Sequence, residues 1–281
     1  MSGATAVGLR REWVGAVAAF AVGLAGAVVG VDALGVPSGR VGVALPVAVQ
    51  WALPTAGAAA FVLWFCRRHL DANRPDGALP DGEGPGGETP DDPARRYGTL
   101  GLANRVTLAR GGLVAAVAGF VAVEPTDAVR WAPAVCYGAN CLLDLVDGAL
   151  ARHRDRTTVL GARLDMAFDT LGFLVAPVVA VAWGRLPVWY LSLSAARYLY
   201  KAGCAVRRRR GLPVGDLPPS RLRRPLAGMQ MAFITVALAP VVPAATVAAV
   251  AVVVLAPSLA VFARDYLVVA GHLGSRPAPQ Q

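Results

Sequence analysis

Four aspartates stand where an apolar chain should avoid them. They lie in "DLVDGALARHRDRTTVLGARLDMAFD", residues 144–169, with Asp144 and Asp147 closing one greasy segment and Asp165 and Asp169 opening the next. A charge at the centre of a membrane helix costs about 2.5–3.5 kcal/mol on insertion scales, and less near an interface. Four like charges also repel one another, so protons or cations must compensate them. At about 100° per residue, Asp144, Asp147, Gly148 and Ala151 share one helix face. Asp165 and Asp169 are one turn apart on the following helix, with Gly161 one turn before them. An antiparallel pair turning near residues 153–160 brings both sets together. The resulting donor set is oxygen only, which suits Mg²⁺ or Mn²⁺. Four carboxylates suit two ions, the arrangement used in phosphoryl transfer. Gly148, Ala151 and Gly161 leave this face without bulk, so a phosphate-bearing group can approach the backbone. The competing use of such small residues is close helix packing.

The elements that must position these residues are membrane helices. The chain has 281 residues, of which 56% are hydrophobic, and a mean hydropathy of +0.51. Several stretches approach or exceed the roughly 20 apolar residues that span a bilayer. The expected fold class is all-α, a polytopic membrane helix bundle. Helices are expected at about 13–34 and 42–65, then at about 102–123, 129–152, 158–184, 187–207, 224–241 and 243–268. Residues 1–70 form an N-terminal membrane helix pair, and the first helix reads as an uncleaved anchor because its apolar run exceeds a signal-peptide core. Residues 71–95 are rich in Pro, Gly and acids, and read as a flexible cytoplasmic linker. Residues 96–272 form a six-helix catalytic domain, and 273–281 a disordered tail. No internal repeat of the transporter kind is visible.

Net charge is +9, carried almost wholly by arginine. No nucleic-acid motif accompanies it, so the cations read as flanks that set membrane orientation, and nucleic acid is not expected as a partner. Arg10–Arg11, Arg67–Arg68, Arg95–Arg96, the arginines of 152–156 and those of 207–224 alternate onto one side. The positive-inside rule makes that side cytoplasmic, and the aspartates face it from the cell membrane. Cys66, Cys136, Cys141 and Cys204 form no CxxC pair and read as packing residues.

The pattern Asp144-x-x-Asp147-Gly148-x-x-Ala151-Arg152, eight residues, Gly161-x-x-x-Asp165-x-x-x-Asp169 resembles the signature of the CDP-alcohol phosphatidyltransferases. Upstream, "ANRVTLARGG" resembles the family's first helix, commonly Pro-Asn-x-x-Thr-x-x-Arg: Ala103 replaces the proline, and Asn104, Thr107 and Arg110 match. The resemblance covers about residues 96–270. It implies that a CDP-linked lipid or other CDP-alcohol donates its phosphoalcohol unit to an acceptor alcohol and that CMP leaves. On this chain it implies that Asp144, Asp147 and Asp165 bind metal and that Asp169 contributes to the second ion and is the catalytic base. It places Gly148, Ala151, Arg152 and Gly161, with Asn104, Thr107 and Arg110, around the CDP group, and it implies a homodimer among membrane lipids.

For the acceptor, Arg154, Arg163, Arg197 and Lys201 are candidates, since arginine matches phosphate bidentately. Arg197 and Lys201 are one turn apart and either snorkel or line a pocket. Arg264 and Asp265 read as a local compensating pair. An intramembrane Mg²⁺-dependent prenyltransferase would need a second acidic cluster, and none is present. A divalent-cation transporter would need polar residues across the membrane, and outer halves such as "LGFLVAPVVAVAW" offer none.

Overall fold

The computed structural model describes residues 3–34, 45–75, 97–153, 158–215, 220 and 222–273; the side chains of 3–6 and 147–153 lie outside the description. Among the described residues there are eight α-helices and no strand: α1 (Gly3–Ala33), α2 (Val47–Arg68), α3 (Gly101–Gly119), α4 (Ala132–His153), α5 (Val159–Ala182), α6 (Ser192–Arg209), α7 (Arg223–Leu238) and α8 (Ala244–Val269). The expected all-α helical bundle is what forms. Five segments are long and apolar enough to cross a membrane: Val7–Ala33, Val47–Arg68, Gly101–Ala122, Val159–Ala182 and Ala244–Val269. The chain is an integral membrane protein. In α4, Ala132–Val146 is an apolar stretch that carries Asp144 near its end among the described residues.

Helix α1 starts ten residues before the apolar run expected to open it, because Arg10, Arg11 and Glu12 are compatible with helix. Before α6, residues Val188–Leu191 form a 3-10 turn behind the extended Pro187, so the α-helix proper begins at Ser192.

The chain divides into two compact units, residues 1–179 and 180–281. In the first, α2 packs on α3, and α3 on α4. The core of this unit joins Leu9, Val62, Cys66, Ala72, Leu100, Leu108, Leu160, Leu164 and Phe168. Gly111 of α3 makes this approach possible, since a Cβ there would lie 2.8 Å from Val62 and 3.2 Å from Phe168. Trp13 donates from Nε1 to the Leu63 carbonyl at 3.0 Å, and the Arg67 guanidinium lies 5.1 Å from the Trp13 ring centre. Glu12 reaches across to α3: Oε2 accepts from the Leu100 N–H at 2.8 Å, and Oε1 from Arg105 at 3.1 Å. A carboxylate at a helix N-terminus is favoured by the orphan N–H groups and the helix dipole.

In the second unit Gln230 is the polar hub. It accepts from the Tyr190 hydroxyl and donates to the Val254 carbonyl and the Ser258 hydroxyl, both at 2.8 Å. Arg185 closes the end of α7 by donating to the carbonyls of Ala237, Ala239 and Val242 at 3.0, 2.7 and 2.6 Å. Asp265, buried on α8, pairs with Arg223 at 2.7 Å and not with its neighbour Arg264 as expected. Adjacent helical residues point about 100° apart and do not face each other, whereas Arg223 enters from the start of α7.

Candidate functional site

The second half of α4 and the first half of α5 supply the carboxylates, and Arg110 of α3 reaches both. Asp144, Asp165 and Asp169 each place a carboxylate oxygen so that all three atoms lie within 4.8 Å of one another. Their side chains are 30%, 43% and 25% exposed, so an ion or phosphate can reach them from outside. The helical periodicity of each segment is the cause of this convergence: one turn separates Asp165 from Asp169 on α5.

The centre of the cluster is met by Arg110 from α3, a side chain only 1% exposed. Its Nη2 lies 2.9 Å from Asp144 Oδ1 and 2.8 Å from Asp169 Oδ1, and its Nη1 bonds Asp165 Oδ1. Among the described residues, three carboxylates face this one guanidinium, an excess of negative charge that favours binding of further cations. The donor set is oxygen only. Three such oxygens this close together could hold a hard divalent cation.

Below the cluster, a polar junction fixes the entry of α5 against α3. Thr158 caps α5, its Oγ1 accepting from the Gly161 N–H at 2.9 Å. Asn104 of α3 donates from Nδ2 to Thr158 Oγ1 at 3.2 Å, to the Leu100 carbonyl at 2.8 Å and to Asn73 Oδ1 at 3.3 Å. Asn73, fully buried, donates to the carbonyls of Tyr97 and Thr99 at 3.1 and 2.9 Å. Residues 70–75 are thus ordered: they form a 3-10 turn and a bridge between Pro75 and Thr158, with the Val159 N–H on the Arg74 carbonyl at 3.0 Å. Residues 76–95 of the expected linker lie outside the described residues. Gly161 is where α5 passes Asn104 most closely: a Cβ there would lie 2.7 Å from Asn104 Oδ1 and 3.1 Å from Thr158 Oγ1.

Of the residues picked out from sequence, Asp144, Asp165, Asp169 and Arg110 come together, and Asn104 and Gly161 meet at the junction below. Thr107 is buried on α3 and donates to the Ala103 carbonyl at 3.2 Å. The side chains of Asp147, Gly148, Ala151 and Arg152, and the whole of Arg154, lie outside the described residues. Arg163 is exposed on α5, two residues before Asp165 and so on a different face. Arg197, half-buried, and Lys201, exposed, lie on α6 in the second unit. Sequence reasoning missed Asn73, Thr158 and Glu12. It also treated Arg110 as a contact for nucleotide and not as the partner of the aspartates. An arginine inside an apolar helix was the available signal, because such a cation needs a carboxylate partner.

Comparison with known proteins adds one finding. A family model described as CDP-alcohol phosphatidyltransferase matches residues 100–261, more than half of the chain. No curated protein and no solved structure shows significant similarity to it.

Proposed function

Starting from the fact that the chain belongs to the CDP-alcohol phosphatidyltransferase family, we propose that it transfers a phosphoalcohol unit from a CDP-lipid to an acceptor alcohol and releases CMP. Family membership makes it a membrane transferase acting on a CDP-alcohol in phospholipid biosynthesis, in a family that uses divalent metal. The finer reading rests chiefly on one observation: the convergence of Asp144, Asp165 and Asp169 oxygens within 4.8 Å at the meeting of α4 and α5.

In this reading Asp144, Asp147, Asp165 and Asp169 hold two Mg²⁺ or Mn²⁺ ions. The ions would supply neutralisation of the diphosphate and of the departing CMP. Gly148, Ala151, Arg152 and Gly161 border the CDP group, with Asn104, Thr107 and Arg110 behind them on α3. Asn104 acts there by fixing α5, since its amide is committed to Leu100, Asn73 and Thr158. Asp169 is the base that takes the acceptor hydroxyl proton. It is partly exposed, and its Oδ1 faces Arg110. Arg154, Arg163, Arg197 and Lys201 are assigned to the acceptor. The site faces the cytoplasm from the cell membrane, a reading that the basic flanks support through the positive-inside rule, and the protein works as a homodimer.

The test is direct. Purified protein with Mg²⁺ and radiolabelled CDP-diacylglycerol is offered glycerol phosphate, inositol phosphate, serine or a second lipid, and CMP is measured. One acceptor should stimulate release, and Asp169→Asn should abolish it. Full activity in that variant would remove Asp169 as the base, and no CMP with any acceptor would sink the reaction.

A further inference from the structure

We propose that Arg110 is the built-in cation of the aspartate cluster and competes with divalent metal for the same carboxylates, thereby setting how tightly the site holds its ions. The proposal rests on the metal reading above and goes beyond it. One guanidinium meets Asp144, Asp165 and Asp169, using Oδ1 of each, and these are residues whose oxygens lie close enough together to bind an ion. Arg110 is 1% exposed and lies mid-way along α3, so water does little to screen its charge from the three carboxylates.

Arginine is always protonated in proteins, so it cannot yield the site by losing its charge. A metal ion entering the cluster meets both an occupied set of acceptors and a like charge a few ångströms away. The ion and the guanidinium therefore draw on the same three carboxylates, and each weakens the other's hold on them. The same contact explains how α4 and α5 bring their acids together at all: without a cation between them, the carboxylates would be mutually repelled in a partly dry environment. Arg110 thus stabilises the ion-free helix pair at the cost of metal affinity. A second geometry-based role predicts the opposite sign. If Arg110 served to hold the carboxylates in register for the ions, its removal would weaken metal binding.

The experiment measures Mn²⁺ binding to the full-length protein in detergent, by the loss of the free-ion electron paramagnetic resonance signal, together with thermal unfolding in chelator. Arg110→Gln should bind Mn²⁺ more tightly by about tenfold or more, unfold at a lower temperature in chelator, and gain more stability from Mn²⁺ than the wild type. Arg110→Lys keeps the charge and so protects folding, but a single ammonium cannot fork to three carboxylates. It should bind Mn²⁺ more tightly than the wild type and less tightly than the Gln variant. Should the Gln variant fail to fold, Arg110→Lys decides alone. Unchanged or weaker Mn²⁺ binding in both variants overturns the proposal while leaving the metal reading intact. A wild-type protein that binds no Mn²⁺ overturns both.

Discussion

Gly161→Ala separates two uses of a small residue that the sequence leaves equivalent. The added methyl would sit 2.7 Å from Asn104 Oδ1 and 3.1 Å from Thr158 Oγ1, both shorter than ordinary carbon–oxygen contact. Asn104 cannot swing aside cheaply, because its Nδ2 donates to Leu100, Thr158 and Asn73 at 2.8–3.3 Å. Overpacking of this kind costs about 1–3 kcal/mol. The gain from replacing glycine by alanine in a helix offsets up to about 1 kcal/mol, and less in the first turn, where Gly161 lies. The net loss is about 1–2 kcal/mol, a fall of roughly 2–8 °C in unfolding temperature for a domain of this size. Asp165 lies one turn beyond Gly161, so a displaced α5 also carries the carboxylates away from Arg110 and lowers kcat. The assay is thermal unfolding in detergent beside the rate of CMP release at varied CDP-lipid. Combining the change with Asn104→Ala, which removes the oxygen that the methyl meets, should destabilise less than the sum of the single effects by at least about 0.5 kcal/mol. Wild-type unfolding temperature with a raised KM for the CDP-lipid would refute this reasoning. It would show that the glycine serves only the approach of the nucleotide.

Two further changes probe the interior of each unit separately. Glu12→Gln replaces the carboxylate that caps α3 and pairs with Arg105; it should cost about 1 kcal/mol, seen as a lower unfolding temperature, and high salt should narrow the gap. Arg223→Gln leaves the buried Asp265 without its cation and should cost about 2–4 kcal/mol, while Arg223→Gln with Asp265→Asn should recover most of that loss because no buried charge remains. Denaturation of the double variant at the temperature of the single one would argue against a charge origin.

The carboxylate site was legible because helical periodicity puts Asp165 and Asp169 on one face of α5, and Asp144 lies on the helix just before it in the chain. The eight helices among the described residues follow equally from apolar runs separated in turn by arginine-rich breaks and by short turns with Pro or Gly. Illegible parts share one physical feature, partners distant in sequence. Asn73 sits amid Asp71, Arg74 and Pro75, whose composition reads as solvated chain, yet it is fully buried because Tyr97, Thr99 and Asn104 satisfy its amide. Glu12 looks like the polar flank of an apolar helix, and its function lies 88 residues away at the Leu100 N–H. The Arg264–Asp265 expectation failed for a reason available beforehand, since helical neighbours diverge; what no pattern supplied was that Arg223 would be the partner.

The family match begins at residue 100, yet the helices before it are built into the support of the site. Helix α3 carries Arg110 to the carboxylates, and its position is set on its other sides by the N-terminal pair. Glu12 of α1 fixes its start, Val62 of α2 fills the notch at Gly111 immediately after Arg110, and Trp51 and Thr55 close over Gly119. The chain leaving α2 then supplies Asn73 to the junction that sets α5 against α3. Each contact constrains where the guanidinium stands relative to Asp144, Asp165 and Asp169. The charge balance of the cluster depends on that placement, because a shift of one ångström turns a charge-assisted hydrogen bond into an unpaired carboxylate. Residues outside the family's own boundary therefore share in fixing the electrostatics of the centre that the family's motif defines.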